Sequence, residues 1–178
     1  MKIFKQKFII ILAGASLISA CPAQALDEAK IINEAKGLYE SGEVDGAVAI
    51  YKTILEKKPD SDIANYDMGI ALYDKKEYEK AAEHFKKAAL TKNNALERDS
   101  FLSIGNSYYR MSEAKEAEYM DKGKKDVGKL KKSLELCEKA VQYYSFASES
   151  DGRDRRVKNN YEAARQRAEA LEERLKKN

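Results

Sequence analysis

Apolar residues along this chain fall in helical stripes separated by short polar breaks. Ala29, Ile32, Ala35 and Tyr39 share one face, as do Ala47, Ile50, Tyr51, Ile54 and Leu55. Ser41-Gly42 interrupts the two runs and Pro59 ends the second, so a helix pair is predicted over residues 27–59. Residues 60–94 repeat the plan. Met68, Gly69, Leu72 and Tyr73 mark one helix, Ala81, Ala82, Phe85, Ala88 and Ala89 the next, with Asp74-Lys75-Lys76 between them. Ser61 or Asp60 is expected to cap the first helix of this pair, and Asn94 with Glu97 resembles a capping box.

The two pairs are in register. Ala47, Tyr51 and Ile54 recur as Ala81, Phe85 and Ala88, each 34 residues on, and Ala35, Leu38 and Gly42 recur as Gly69, Leu72 and Lys76. A fixed period of this length marks stacked hairpins in which each unit covers its neighbour's apolar face. A third unit, 95–147, begins with Phe101, Ile104, Gly105, Tyr108 and Tyr109, but its second helix is delayed until Leu134, Cys137, Ala140, Val141 and Tyr144. About twenty residues near 111–130 are therefore inserted. Their lysines (Lys122, Lys124, Lys125, Lys129, Lys131 and Lys132) around Gly123 and Gly128 suit solvated helix extensions and a flexible turn. Residues 145–153 are polar and predicted to be loop. A long final helix over 154–178 carries Val157, Tyr161, Ala164, Ala168, Leu171 and Leu175 on one stripe, as the end of a stack requires. The expected fold is all-α: a solenoid of about three hairpins and a capping helix.

The N-terminus changes the reading of charge. Lys2, Lys5 and Lys7 precede an apolar run from Phe8 to Ala20, too short for an ordinary membrane span, so residues 1–25 read as an export signal cleaved between Ala25 and Leu26. The alternative is lipidation at Cys21 after Ile18-Ser19-Ala20, which would make residues 1–20 the leader. Either way the mature protein is expected outside the cytoplasm, in the periplasm or membrane-anchored as a lipoprotein. The leader holds three of the 33 basic residues and none of the 30 acidic ones, so the remainder is neutral. That balance argues against a nucleic-acid partner.

Small and aromatic residues at these intervals resemble the tetratricopeptide repeat. Ala35, Gly42, Ala47, Tyr51, Ile54 and Pro59 follow its order, then Gly69, Ala81, Phe85, Ala88 and Asn93, then Gly105, Cys137 and Ala140 around the insertion. "IGNSYYR", the long hairpin and "VKNNYEAARQR" also resemble small exported repeat proteins of bacterial aerotolerance (Bat) operons. That resemblance implies a membrane partner with a von Willebrand A domain.

The resemblance implies a protein-binding adaptor whose first helices line a concave groove for a peptide or helix. By register the groove comprises Ile32, Lys36 and Tyr39, then Ile63, Tyr66, Ile70 and Tyr73, then Leu102, Asn106, Tyr109 and Arg110. Tyr39, Tyr73 and Tyr109 would form a column of rings, whereas Tyr51, Phe85, Phe101 and Tyr108 are expected in the core. Ile32, Lys36 and Asp67 occupy the positions where chaperone-binding relatives clamp a terminal carboxylate. That cluster is therefore absent, and a ligand with apolar and some cationic groups fits better. Contact with a membrane would come only through a lipid anchor or a membrane-protein partner. The alternative function is a structural envelope subunit that assembles through the insertion and final helix. His84 is the one histidine and no ligand cluster or nucleophile motif appears, so neither catalysis, metal nor cofactor is expected. Cys137 reads as a small buried apolar residue.

Overall fold

The computed structural model describes residues 22–119, 126–150 and 153–177. Among them are seven helices and no strand: α1 (Pro22–Glu40), α2 (Val44–Lys57), α3 (Asp62–Asp74), α4 (Tyr78–Ala88), α5 (Asn94–Ala117), α6 (Val127–Ser150) and α7 (Arg155–Lys176). Each packs on the next, and α1 also touches α3 while α5 touches α7. The result is the expected stack of three antiparallel hairpins closed by α7. Cys21 lies outside the described residues, and α1 runs through Ala25 and Leu26.

One lock recurs in the second and third hairpins. The Phe85 ring lies against Gly69, where an added Cβ would stand 2.6 Å from Cε1, and the Tyr144 ring lies equally close against Gly105, at 2.5 Å. A ring seated on bare backbone excludes any side chain there, which explains the glycines. Ala47, Tyr51 and Ile54 are buried, as are Ala81, Phe85 and Ala88. Their third counterparts are Ala140, Tyr144 and Ala147, also buried. The register read from Cys137 and Ala140 is therefore one turn early. The same triplet corrects the loop expected over 145–153: α6 continues to Ser150, because Ala147 must stay helical to close the core and Phe146 packs on Phe101 with ring centres 5.7 Å apart.

The short connections use local chemistry. Gly42 has φ 87° and Lys76 φ 62°. Both end a helix with the same bonds: Gly42 N–H to the Tyr39 carbonyl at 3.0 Å and Glu43 N–H to Leu38 at 2.8 Å, then Lys76 to Tyr73 and Glu77 to Leu72, each at 2.9 Å. Ser61 caps α3, its hydroxyl accepting from the Ala64 amide. Asn93, rather than Asn94, caps α5, its Oδ1 accepting from Ala95 at 3.0 Å and Leu96 at 3.2 Å. Buried Asn65 fixes the Pro59–Ser61 link by donating to both carbonyls at 2.9 Å, while its own oxygen meets His84 Nδ1 at 3.0 Å. Burial, and then the nearby Lys87 charge, push the half-buried imidazole's pKa down from 6.5.

The insertion is helix on both sides. α5 and α6 have 24 residues each against 13 and 11 in α3 and α4, roughly three extra turns per helix. One face of these turns is packed, while Lys131 and Lys132 on the other are exposed as expected; Lys122, Gly123, Lys124 and Lys125 lie outside the described residues. Ser112 and Ser133 are buried and bond reciprocally, each hydroxyl donating to the other's carbonyl at 2.8 Å. Tyr119 and Leu130 are buried against the same core as Leu171 of α7. Glu116 takes both Arg167 and Arg174, and the Arg174 guanidinium lies 5.2 Å over the Tyr119 ring. Cys137 is fully buried, its thiol donating to the Ala164 carbonyl at 3.2 Å, and burial raises its pKa, which keeps it an unreactive thiol.

Candidate functional site

The first helices of successive hairpins, α1, α3 and α5, lie side by side with α7 as a fourth. Polar contacts join each adjacent pair. Lys36 Nζ stands 3.3 Å from Asp67 Oδ2, and the Tyr39 hydroxyl donates to Asp74, linking α1 to α3. Arg110 Nε donates to the Tyr73 hydroxyl at 3.3 Å, linking α3 to α5. Asn160 donates to Asn106 Oδ1 at 2.9 Å, the Arg167 guanidinium lies 5.4 Å over the Tyr109 ring, and Arg156 pairs with Asp99 at 3.0 Å, linking α5 to α7.

The tyrosine column thus has a regular geometry. Tyr39, Tyr73 and Tyr109 are each half-buried, and each takes a polar or cationic partner from the next first helix: Asp74, Arg110 and Arg167. The hydrogen bond to Asp74, then burial, pushes the Tyr39 phenol up to about 12. The Arg110 guanidinium is held still more firmly protonated by its bonds to Tyr73 and Glu113. These rings stitch the inner wall together and stay partly open to solvent.

Two predicted groove residues are core instead. Ile32 is 5% exposed and Leu102 6%, both packed under the wall. Tyr66 is half-buried, with its ring tilted on Phe85 at 5.5 Å. Lys36 and Ile70 are half-buried, and Ile63 and Arg110 are exposed. Of the rings expected in the core, Tyr51 and Phe85 are fully buried, whereas Phe101 and Tyr108 are half-buried. Asp67 is mostly buried, and its Oδ2 lacks a well-aligned hydrogen bond despite the nearby Lys36 ammonium. Burial raises its carboxyl pKa above 3.8, with Lys36 acting in the opposite direction.

The wall opens into a crevice of about 310 Å³. It is lined by Tyr73, Asn106, Tyr109 and Arg110, all predicted groove residues, and by Tyr144, Asn160 and Ala163. The last three were missed from sequence. Tyr144 belongs to the lock on Gly105, but its hydroxyl reaches through to donate to Asn106 Oδ1 at 2.9 Å. Asn160 and Ala163 come from α7, which read only as a cap; the polar Asn159-Asn160 pair inside its stripe was the available signal. Asn106 Oδ1 thus accepts two bonds at this crevice, one from α6 and one from α7.

Comparison with known proteins agrees with this architecture. Residues 32–95 match the model of a tetratricopeptide repeat. Among solved structures, the chain resembles the first such domain of Spaghetti (RPAP3), bound there to an HSP90 peptide SRMEEVD. The TM-score is 0.59 at 12% identity, covering 78% of this chain and 90% of that one. It also resembles the Sgt2 domain from Aspergillus fumigatus, with TM-score 0.57 and 18% identity over 83% and 82% of the two chains. No curated protein matches. The fold is thus a helix-hairpin solenoid like those of tetratricopeptide-repeat domains, and residues 32–95 match that repeat. Its third repeat departs from the regular unit by the lengthened hairpin, and its capping helix doubles as the fourth strip of the inner wall.

Proposed function

We propose that the chain is a non-catalytic adaptor that holds an extended peptide or a helix of a partner protein along α1, α3, α5 and α7. The observation that carries this reading is the crevice at Tyr73, Asn106, Tyr109 and Arg110, where sequence register and geometry coincide. Solenoids bind through such extended inner surfaces, and the RPAP3 domain is a similar fold solved with a peptide. The wall carries carboxylates at Asp67 and Asp74 on its α1–α3 side and a guanidinium at Arg110 on its α5 side. A segment with a cationic group ahead of apolar and polar groups is the complementary ligand. The terminal-carboxylate clamp of chaperone-binding relatives is not offered, since Ile32 and Asp67 occupy its positions. An exported chain, soluble after cleavage at Ala25–Leu26 or lipidated at Cys21, would meet such a partner in the periplasm. A membrane protein with a von Willebrand A domain is the partner that the aerotolerance-operon resemblance favours.

The test is a photo-reactive residue placed singly at Ile63, Ile70 and Arg110 in cells, with Glu172 on the outer side of α7 as control. Selective cross-linking of one protein from the first three positions is expected, lost on Tyr73→Ala. Equal yields from Glu172 would refute the groove. Mass spectrometry of the mature N-terminus separates the two export routes.

A further inference from the structure

The long third hairpin creates a step that a regular solenoid lacks. α4 has 11 residues, yet it flanks helices of 24. Beyond its first residue, Tyr78, no described helix covers the flank of α5 and α6 on that side. Two adjoining crevices follow from it, one at the step beside the start of α4 and one along α4 where it meets α5 and α6. One, of about 360 Å³, is bordered by Tyr78, Met111, Ala114 and Lys115. The other, of about 200 Å³, is bordered by Lys86, Tyr108, Lys132 and Lys139. They share Glu79, Met111 and Leu136, so they form one continuous trough, apolar at one end and basic at the other.

The basic end is built from three helices. The ammonium groups of Lys86 on α4 and Lys139 on α6 stand 5.2 Å and 5.5 Å from the centre of the Tyr108 ring on α5. Lys86 Nζ also donates to the Tyr108 hydroxyl at 2.8 Å. Tyr108 is held in place by stacking on Tyr143, with ring centres 5.6 Å apart and planes 12° from parallel. Most of the chain's lysines with a described contact sit on carboxylates, as Lys132 does on Glu135 at 2.9 Å. Lys86 and Lys139 instead rest on a π face and one neutral oxygen, with no carboxylate in ion-pair contact among the described residues. Glu79 and Glu83 line this end against its three lysines, and the other end adds Lys76, Lys80 and Lys115 against Glu77 and Glu118, so lysines outnumber glutamates six to four along the trough.

We infer that this step is a second docking site, taking a partner segment in which an acidic residue follows a bulky apolar one. The apolar side chain enters beside Tyr78, Met111 and Ala114, and the carboxylate bridges Lys86 and Lys139. Charge complementarity chooses this occupant. A carboxylate gives the two ammoniums charge-assisted bonds while their ring contacts persist. The chain's own leader, with Lys2, Lys5 and Lys7, has the wrong sign. The inference does not depend on the concave groove, which lies on other helix faces.

The test is a titration of the isotope-labelled protein with a synthetic peptide alternating leucine and glutamate, followed by amide NMR shifts. Saturable shifts are expected at Tyr78, Lys86, Tyr108 and Lys139, with binding about tenfold weaker in the Lys86→Gln/Lys139→Gln protein. Tyr108→Phe, which keeps the ring and both lysines, should change affinity no more than about twofold. Lys52→Gln, at an exposed position on α2, should leave it unchanged. The proposal is overturned by any of four results. These are no saturable shift, equal shifts with the peptide carrying lysine for glutamate, equal shifts with inorganic sulfate, or unaltered binding in the double-glutamine protein. Shifts at the step with anionic phospholipid vesicles but none with the peptide would also overturn it.

Discussion

The second and third hairpins start from the same design and diverge after their glycine–ring contact. In α3–α4, Gly69 receives Phe85 and the unit ends one turn later. In α5–α6, Gly105 receives Tyr144, but beyond that contact α5 runs about two turns further than α3 and α6 extends about three turns further than α4. Those extra turns cannot borrow the repeat's core, since α4 does not reach them. They carry their own: Tyr119, Leu130 and the Ser112–Ser133 pair, covered by Leu171 and Leu175 of α7. A repeat can therefore be lengthened without loss of the stack if a further helix is supplied to cover the addition. Among the described residues, the buried apolar positions of the insertion and of α7 pack against each other.

The largest effect should come from the extension's own core. Leu130 is fully buried, and Leu130→Ala should cost about 2–5 kcal/mol through lost transfer energy and a residual cavity. Hydrogen exchange should then accelerate in residues 108–119 and 127–137 while α3 and α4 keep their protection. If α3 and α4 open to the same degree, the extension and the regular stack form one cooperative unit and the contrast drawn above fails.

A smaller effect tests the shared lock. Gly105→Ala and Gly69→Ala both drive a methyl into a ring, a clash worth about 1–3 kcal/mol, against a helix-propensity gain of about 1 kcal/mol. The two should not be equal. Tyr144 is tethered through its hydroxyl to Asn106 at 2.9 Å, whereas Phe85 has no polar tether and can swing aside. Urea unfolding should show Gly105→Ala as the more damaging, and adding Tyr144→Phe should recover part of the loss. Equal costs would mean that ring freedom is set by packing alone.

Much of this was legible because the repeat interval is constant between the first two units. The triplet Ala47, Tyr51, Ile54 predicts Ala81, Phe85, Ala88 by addition of 34. In the third unit the insertion removes that constant, and α6 is one unbroken amphipathic pattern with no internal boundary. The intervals of four and three nonetheless recur in Ala140, Tyr144 and Ala147 and not in Cys137 and Ala140, and the ring seated on Gly105 agrees with that triplet. The groove was partly misread for a related reason. Successive helical positions turn about 100°, so the inner face and the core face meet along an edge. Ile32 and Leu102 sit at that edge, and their apolar side chains turn toward the core. Polar Asn106 and Arg110 at the same edge remain outward. The role of α7 in the wall was hidden because it depends on α7 lying beside α5, a tertiary fact that no local pattern records.

The smallest effect compares the first two turns. Gly42 and Lys76 end their helices with the same left-handed residue and the same pair of backbone bonds, yet only glycine adopts that conformation without steric cost. A side chain there costs about 1–2 kcal/mol. Glycine returns part of that by loosening the unfolded chain, about 0.5–1 kcal/mol. Lys76→Gly should therefore raise stability by about 0.5–1 kcal/mol in thermal or urea unfolding, and Gly42→Lys should lower it by a similar amount. A loss of stability in Lys76→Gly would mean that the Lys76 stem makes compensating contacts at the step beneath the long hairpin, whose trough it borders. The lysine would then be retained for that surface and not merely tolerated in the turn.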